Sequence, residues 1–269
     1  MKLFWNAILC ALAGALLAGC AKSSPDRFQG YIEGEYVYVA SPLGGALTNL
    51  AVARGDLVKT GQLLFQLDRE PEAAALVQAK KNLAQAEAGL KLSQATFQRR
   101  SELRQTPDGV VSAEELDKAR AQRDADASQV SALEAALSRA QWSFDQKQQF
   151  APTNAAVQDT LYRPDEWVAA GNPVVVLLPP ANLKVRFFVP ETLLPQVKVG
   201  QAVSVQCDGA AKAYKATVNY ISTKAEYTPP VIYSRETRAN LVYMIEAVFS
   251  PADAANLRPG QPADVTLEQ

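Results

Sequence analysis

One stretch, residues 69–149, constrains this chain more than any other, because its apolar residues fall on a heptad seam twice over. In the first arm Leu76, Leu83, Leu90 and Phe97 keep heptad spacing, with Ala79, Ala86 and Ser93 between them. In the second arm Leu116, Arg123, Val130, Leu137 and Phe144 keep the same spacing, interleaved with Ala119, Asp126, Leu133 and Ala140. A repeat of that period holds one seam against a partner helix and winds the pair into a left-handed coiled coil. After Pro71 the arms contain no proline, and Gly89 is their one glycine. The break falls at Thr106-Pro107-Asp108-Gly109, residues that favour turns. Ser112, three positions before Glu115, reads as a capping box that starts the second helix. At 1.5 Å per residue the hairpin reaches roughly 50–55 Å.

A turn centred on Asp108 also sets the register. Leu76 then faces Ala140, Ala79 faces Leu137, Leu83 faces Leu133, Ala86 faces Val130 and Phe97 faces Ala119. Most of these layers set a large side chain against an alanine, which fills a narrow seam without overpacking. Nearer the tip Leu90 faces Asp126, Ser93 faces Arg123 and Arg100 faces Leu116, a more polar seam that a neighbouring subunit would share. A register slipped by one heptad would instead set Ala86 against Leu137 or Arg123.

Composition removes several functions. Histidine is absent, which takes away the commonest general base and the commonest metal ligand. Cys10, Cys20 and Cys207 are too scattered for a zinc site or a disulfide framework. A net charge of −1 with mixed signs offers no nucleic-acid surface. No glycine-rich phosphate loop precedes a helix, and no carboxylate pair has a defining spacing. The chain reads as a non-enzyme without a cofactor.

Residues 1–19 read as a signal peptide: Lys2 is followed by a mostly apolar run from Leu3 to Leu17, with Asn6 its one strongly polar residue. That run falls short of the roughly 18–20 residues that an uncleaved anchor would need. The ending Leu17-Ala18-Gly19-Cys20 resembles the bacterial lipobox, which implies cleavage before Cys20 and its lipidation. Residues 20–28 then form a lipid-anchored tether.

From Gln29 the chain turns to β-branched and aromatic residues, including Ile32, Tyr36, Tyr38 and Val39. A pattern then occurs twice, once on each side of the hairpin. Pro42, Leu57, Val58, Gly61, Leu64 and Leu67 correspond at a constant offset to Pro152, Trp167, Val168, Gly171, Val174 and Leu177. Identical spacing of Pro, Val and Gly before an apolar strand indicates an internal repeat. The halves, 29–68 plus 150–180, look like a lipoyl-type domain split by the hairpin. Beyond Pro179-Pro180, strands over Leu183–Val189, Val203–Gln206, Ala216–Ile221 and Leu241–Phe249, with a closing strand near Pro259–Leu267, suggest a small β-barrel within 181–269. The fold class is α+β and multidomain.

This order of parts resembles the HlyD-type periplasmic adaptors, or membrane fusion proteins. The first half-motif is Pro42-Leu43-Gly44-Gly45 with Gly55-Asp56-Leu57-Val58-Lys59-Thr60-Gly61-Gln62-Leu63-Leu64. Leu183 to Glu191 with Val199-Gly200-Gln201 resembles the barrel entry of that family. Ala225 to Ser234 resembles a segment of adaptors paired with ABC-type exporters. The resemblance implies a periplasmic, lipid-anchored ring, of six copies by family likeness. Such a ring bridges an inner-membrane transporter, of ABC kind, to a TolC-like outer-membrane channel. It favours the inner membrane for the anchor, and little sequence remains for the membrane-proximal domain that other members carry. The other reading of the same features is a scaffolding envelope lipoprotein with no transport partner.

Two sites follow from the resemblance. Adaptors that dock on TolC-type channels share an Arg, a Leu and a Ser or Thr at the hairpin tip. Arg99 and Leu103 fit the first step, while the candidate hydroxyl, Ser112, lies two residues further along than the family pattern has it. Arg99 as a solvated helix residue, Leu103 as tip packing and Ser112 as a plain N-cap is the other reading of the three. The loop carrying Tyr227, Pro229, Pro230 and Tyr233 is a transporter contact or ordinary barrel packing. A biotin or lipoate carrier would need a lysine on the turn between the lipoyl halves. Here the hairpin replaces that turn, and Lys80 and Lys81 lie on its first arm.

Overall fold

The computed structural model describes residues 27–106, 110–210, 212–227 and 241–268. It divides into two compact units, one spanning Glu35–Asn182 and the other formed by the segments on either side of it.

The first unit is built on the hairpin. Helix α1 spans Glu70–Arg104, 35 residues, and α2 spans Ala113–Asp145, 33 residues. At 1.5 Å per residue each arm is about 50 Å long. Both start with acidic residues against the positive end of the helix dipole: Glu70 and Glu72 in α1, Glu114 and Glu115 in α2. Most positions on both helices face solvent, and Leu76, Ser93 and Ala119 are the buried ones. Such helices owe their order to the mutual seam and to their roots rather than to a broad apolar face.

Contacts across the seam agree with the expected pairing of the two arms. Arg100 donates to the carbonyl of Glu115 at 3.1 Å, one residue from its expected partner Leu116. The guanidinium of Arg120 lies 5.8 Å from the centre of the Phe97 ring, one residue from the expected Ala119. A heptad slip would separate both pairs by about 10 Å. The polar end of the seam differs from expectation in detail. Ser93 satisfies itself by donating to Leu90 O at 3.0 Å. Arg123, expected opposite Ser93, lies 4.5 Å from the Phe97 ring centre and donates to Asp124 at 2.6 and 2.9 Å. A flat cation gains more from an aromatic face and a carboxylate than from a hydroxyl already in use.

The hairpin leaves and re-enters a sandwich of two four-stranded sheets, ordered β2-β9-β7-β4 and β6-β5-β3-β8. Before the hairpin come β2 (Val37–Ala40), β3 (Gly45–Leu50), β4 (Leu57–Val58) and β5 (Leu63–Leu67). After it come β6 (Gln148–Phe150), β7 (Ala155–Thr160), β8 (Trp167–Val168) and β9 (Pro173–Leu178). The repeat is visible in the backbone. Each copy lends its two-residue strand to the other, β3 pairing with β8 and β4 with β7. Gly61 N donates to Ala151 O at 2.8 Å, and its counterpart Gly171 N donates to Ser41 O at 2.9 Å. Both glycines sit at φ near 80°, a left-handed turn that side chains resist. Leu47, Leu64, Phe65, Leu67, Val168, Val174, Val175 and Leu177 are fully buried between the sheets.

In the second unit β1 (Arg27–Gly34), β10 (Leu183–Pro190), β13 (Leu241–Phe249), β12 (Tyr214–Tyr227), β11 (Ala202–Cys207) and β14 (Pro262–Leu267) close a barrel in that order. A one-turn helix, α3 (Pro251–Ala254), follows β13. Ile32, Val185, Phe187, Val189, Val203, Val205, Ile245, Ala247 and Val265 fill the interior with no exposed surface. The expected boundaries need correction here. Residues 29–34, assigned to the first lipoyl-like half, and residues 27 and 28, assigned to the tether, form β1 and pair with β10 and β14. Without β1 the barrel would carry two open edges, which a closed barrel avoids. Gly30 permits the fit, since a Cβ there would lie 2.3 Å from the carbonyl of Arg186.

Candidate docking site and its foundations

At the root of the hairpin the sequence folds its charges inward. Lys147, just past α2, is 4% exposed. Its Nζ donates to Gly44 O at 2.8 Å and lies 3.0 Å from Glu72 on the first turn of α1. One ammonium therefore ties together the entry of the hairpin, its exit and the glycine pair at the start of β3. Gly45 is part of the fit: a Cβ there would meet Lys147 Nζ at 3.1 Å. Ser41 adds a second tie by donating to Gln146 O at 2.9 Å. The Arg69 guanidinium stacks 3.7 Å from the Phe144 ring centre. Sequence reading missed this root, since Lys147 stands among glutamines and looks solvated. The glycine pair Gly44-Gly45 was the one signal of a close approach.

At the far end, Leu103 lies near the end of α1 and is 46% exposed. Its carbonyl accepts from Thr106 Oγ1 at 2.6 Å, which closes the helix end. Ser112 is the N-cap of α2, its Oγ accepting from Glu115 N at 3.2 Å. Glu115 Oε2 in turn accepts from Ser112 N and Ser112 Oγ, each at 2.9 Å. These hydrogen bonds, the backbone one first, hold the Glu115 carboxyl below its ordinary range. Arg99 is exposed, with one guanidinium nitrogen 3.3 Å from Thr96 Oγ1. The structure thus places the three expected tip residues at the distal end: Leu103 outward, Arg99 in solvent and Ser112 occupied with capping. Pro107, Asp108 and Gly109, expected to form the turn itself, lie outside the described residues.

The other expected sites divide. Tyr227 is the last residue of β12, whereas Pro229, Pro230 and Tyr233 lie outside the described residues, as does Cys20. Cys207 is buried in the barrel, and burial pushes its thiol up. Among the described residues no His, Cys, Asp or Glu group is arranged for a metal, and no helix is long and apolar enough to cross a membrane. On the barrel wall Lys184 and Arg186 of β10 meet Glu246 of β13 at 2.7 and 2.8 Å. Arg186 also lies 2.7 Å from Glu33 of β1. Burial raises the Glu246 carboxyl, but the hydrogen bonds from Lys184 and Arg186 outweigh it, so the group titrates below its ordinary value.

The long hairpin rooted in a split β sandwich, together with the closed barrel, is similar in fold to a solved membrane fusion protein. Residues 75–147 match the family described as "RND MFP, alpha-helical hairpin domain". The fold is similar to that of the membrane fusion protein Spr0693 from Streptococcus pneumoniae R6, with a TM-score of 0.68 at 19% identity, covering 91% of this chain and 99% of that one. It is also similar to MacA from Actinobacillus actinomycetemcomitans, with a TM-score of 0.60 at 18% identity, over 91% and 78% of the two chains. In sequence the chain is similar to the UPF0194 membrane protein of Citrobacter koseri, 29% identical over 97% of this chain and 96% of that protein. The UPF0194 membrane protein YbhG of Salmonella gallinarum is 27% identical over 88% and 86%.

Proposed function

We propose that this chain is the periplasmic adaptor of a tripartite efflux or secretion system. In this reading it is anchored by lipid on Cys20 to the inner membrane and assembles into a ring of six. Its barrel side engages an inner-membrane transporter through the loop carrying Tyr227, Pro229, Pro230 and Tyr233. Its hairpin tip, with Arg99, Leu103 and Ser112, engages a TolC-like channel. The observation that carries the reading is the hairpin: two arms of about 50 Å, clamped at the root, end on a leucine that their own fold leaves 46% exposed. A rigid arm with an apolar end suits contact at a distance.

An ABC-type transporter is the partner we favour, on the likeness of residues 225–234 to adaptors of that class. A second reading, an RND-type pump, is favoured by the description of the matching hairpin family. Affinity purification of the native complex from membranes tests both. An ATPase and its permease in the complex support the first, and a single large pump protein without an ATPase supports the second. Purification with neither a transporter nor a channel would leave the scaffolding lipoprotein as the better reading.

A further inference from the structure

Two loops of the split β sandwich have no role so far. In each copy of the repeat a tight turn leads into a two-residue strand. The first reads Arg54-Gly55-Asp56-Leu57-Val58-Lys59, and the second reads Pro164-Asp165-Glu166-Trp167-Val168-Ala169. Their backbones match. Asp56 accepts from Ala53 N at 2.8 Å, and Glu166 accepts from Arg163 N at 2.9 Å. Gly55 and Asp165 occupy the same left-handed position, at φ 94° and 71°. Val58 and Val168 are buried, so strand alternation turns Leu57 and Trp167 outward, 81% and 71% exposed.

A single exposed apolar side chain is ordinary. Here the same position projects one in both copies, and one of the two is a tryptophan on a strand edge, the residue type most enriched in interface centres. The charges around them have diverged. The first loop carries Arg54 and Lys59 with Asp56, and the second carries Asp165 and Glu166 with Arg163, all exposed. Asp165 even takes a backbone conformation that favours glycine, placing a carboxylate where the first loop has none. The result is two surfaces of one shape and opposite charge, at the edges of different sheets.

We infer that the occupant of each loop is the other loop on a second copy of this chain, so that Leu57 of one protomer packs against Trp167 of its neighbour. The contact names the surfaces of the ring and rests on the adaptor reading for the ring itself. Both halves belong to every chain, so a head-to-tail contact leaves each protomer one loop to offer onward, and such contacts close into a ring when the rotation between neighbours closes. Like-to-like pairing would set Asp165 and Glu166 against their own copies, which charge complementarity opposes.

The test uses the full chain in native membranes with Cys207→Ala, adding Lys59→Cys, Glu166→Cys or both. Mild oxidation is expected to give a ladder of multimers with the double variant and none with either single variant. Lys59→Glu should lower the ring population by about tenfold in native mass spectrometry, for a loss of about 1.4 kcal/mol, and adding Glu166→Lys should restore it. Efficient dimers from either single cysteine would mean like-to-like pairing and overturn the inference. No ladder while the parent protein still forms a closed ring would also overturn it, leaving the adaptor reading intact. If the parent forms no ring, the contact and the ring fail together.

Discussion

Lys147→Met removes the ammonium that joins both roots of the hairpin to the sandwich, and its cost can be worked from the contacts. Methionine fills most of the space, so no large cavity term arises. Glu72 keeps its charge beside an apolar side chain, and Gly44 O loses its donor. Breaking a buried pair from one side costs about 3–5 kcal/mol. Glu72 is 21% exposed, so water recovers part of that, while the orphaned carbonyl adds about 1 kcal/mol. A net loss of about 3 kcal/mol follows, a fall of about 6–12 °C in the melting point of this unit. Circular dichroism at the helical minimum follows the hairpin, and the double variant Lys147→Met with Glu72→Met completes a cycle. The double variant should be less damaged than Lys147→Met alone, because the stranded charge is gone. A Lys147→Met protein within about 0.5 kcal/mol of wild type, or strictly additive losses, would show that the root is held by something else.

Other outcomes follow from the same structure. Leu103→Asp should abolish export while shifting stability by less than about 0.5 kcal/mol, measured by substrate efflux and thermal melting, because a half-exposed tip residue tolerates charge only in the free protein. Ala86→Cys with Val130→Cys should crosslink in a Cys207→Ala background, and Ala86→Cys with Leu137→Cys should not. Efficient crosslinking of the second pair alone would refute the register. Glu246 titrates below its ordinary value of 4.5, so its contribution is complete above that value and is lost as pH falls through the lowered one. Acid unfolding of the barrel should therefore shift to higher pH in Arg186→Met, read by tyrosine fluorescence across pH 2–6. Intact mass of the membrane-extracted protein should show Cys20 as the lipidated first residue, and Cys20→Ser should retain the uncleaved segment.

Much of this fold was legible because its signals are local or periodic. The heptad seam from Leu76 to Phe97 and from Leu116 to Phe144 announced two helices, and Ser112 with Glu115 marked where the second begins. The repeat of Pro42, Val58 and Gly61 in Pro152, Val168 and Gly171 marked equivalent strands and turns. What escaped depends on partners remote in sequence. Strand β1 pairs with residues near 185 and 265, so nothing within 27–34 says which sheet it joins. Lys147 escaped because burial of a lysine is decided by Glu72 and Gly44, far along the chain. At the tip, Arg99, Leu103 and Ser112 were read from a family pattern, and the structure shows Ser112 engaged as a cap and Leu103 turned to solvent.

The central claim is that the hairpin tip reaches an outer-membrane channel. A photo-crosslinking residue at Leu103, with one at the exposed root-side Val77 as control, tests it in living cells. The account predicts an adduct at Leu103 that mass spectrometry identifies as an outer-membrane channel protein, absent from a channel deletion and absent at Val77. No adduct at Leu103, or equal adducts at both positions, would contradict it.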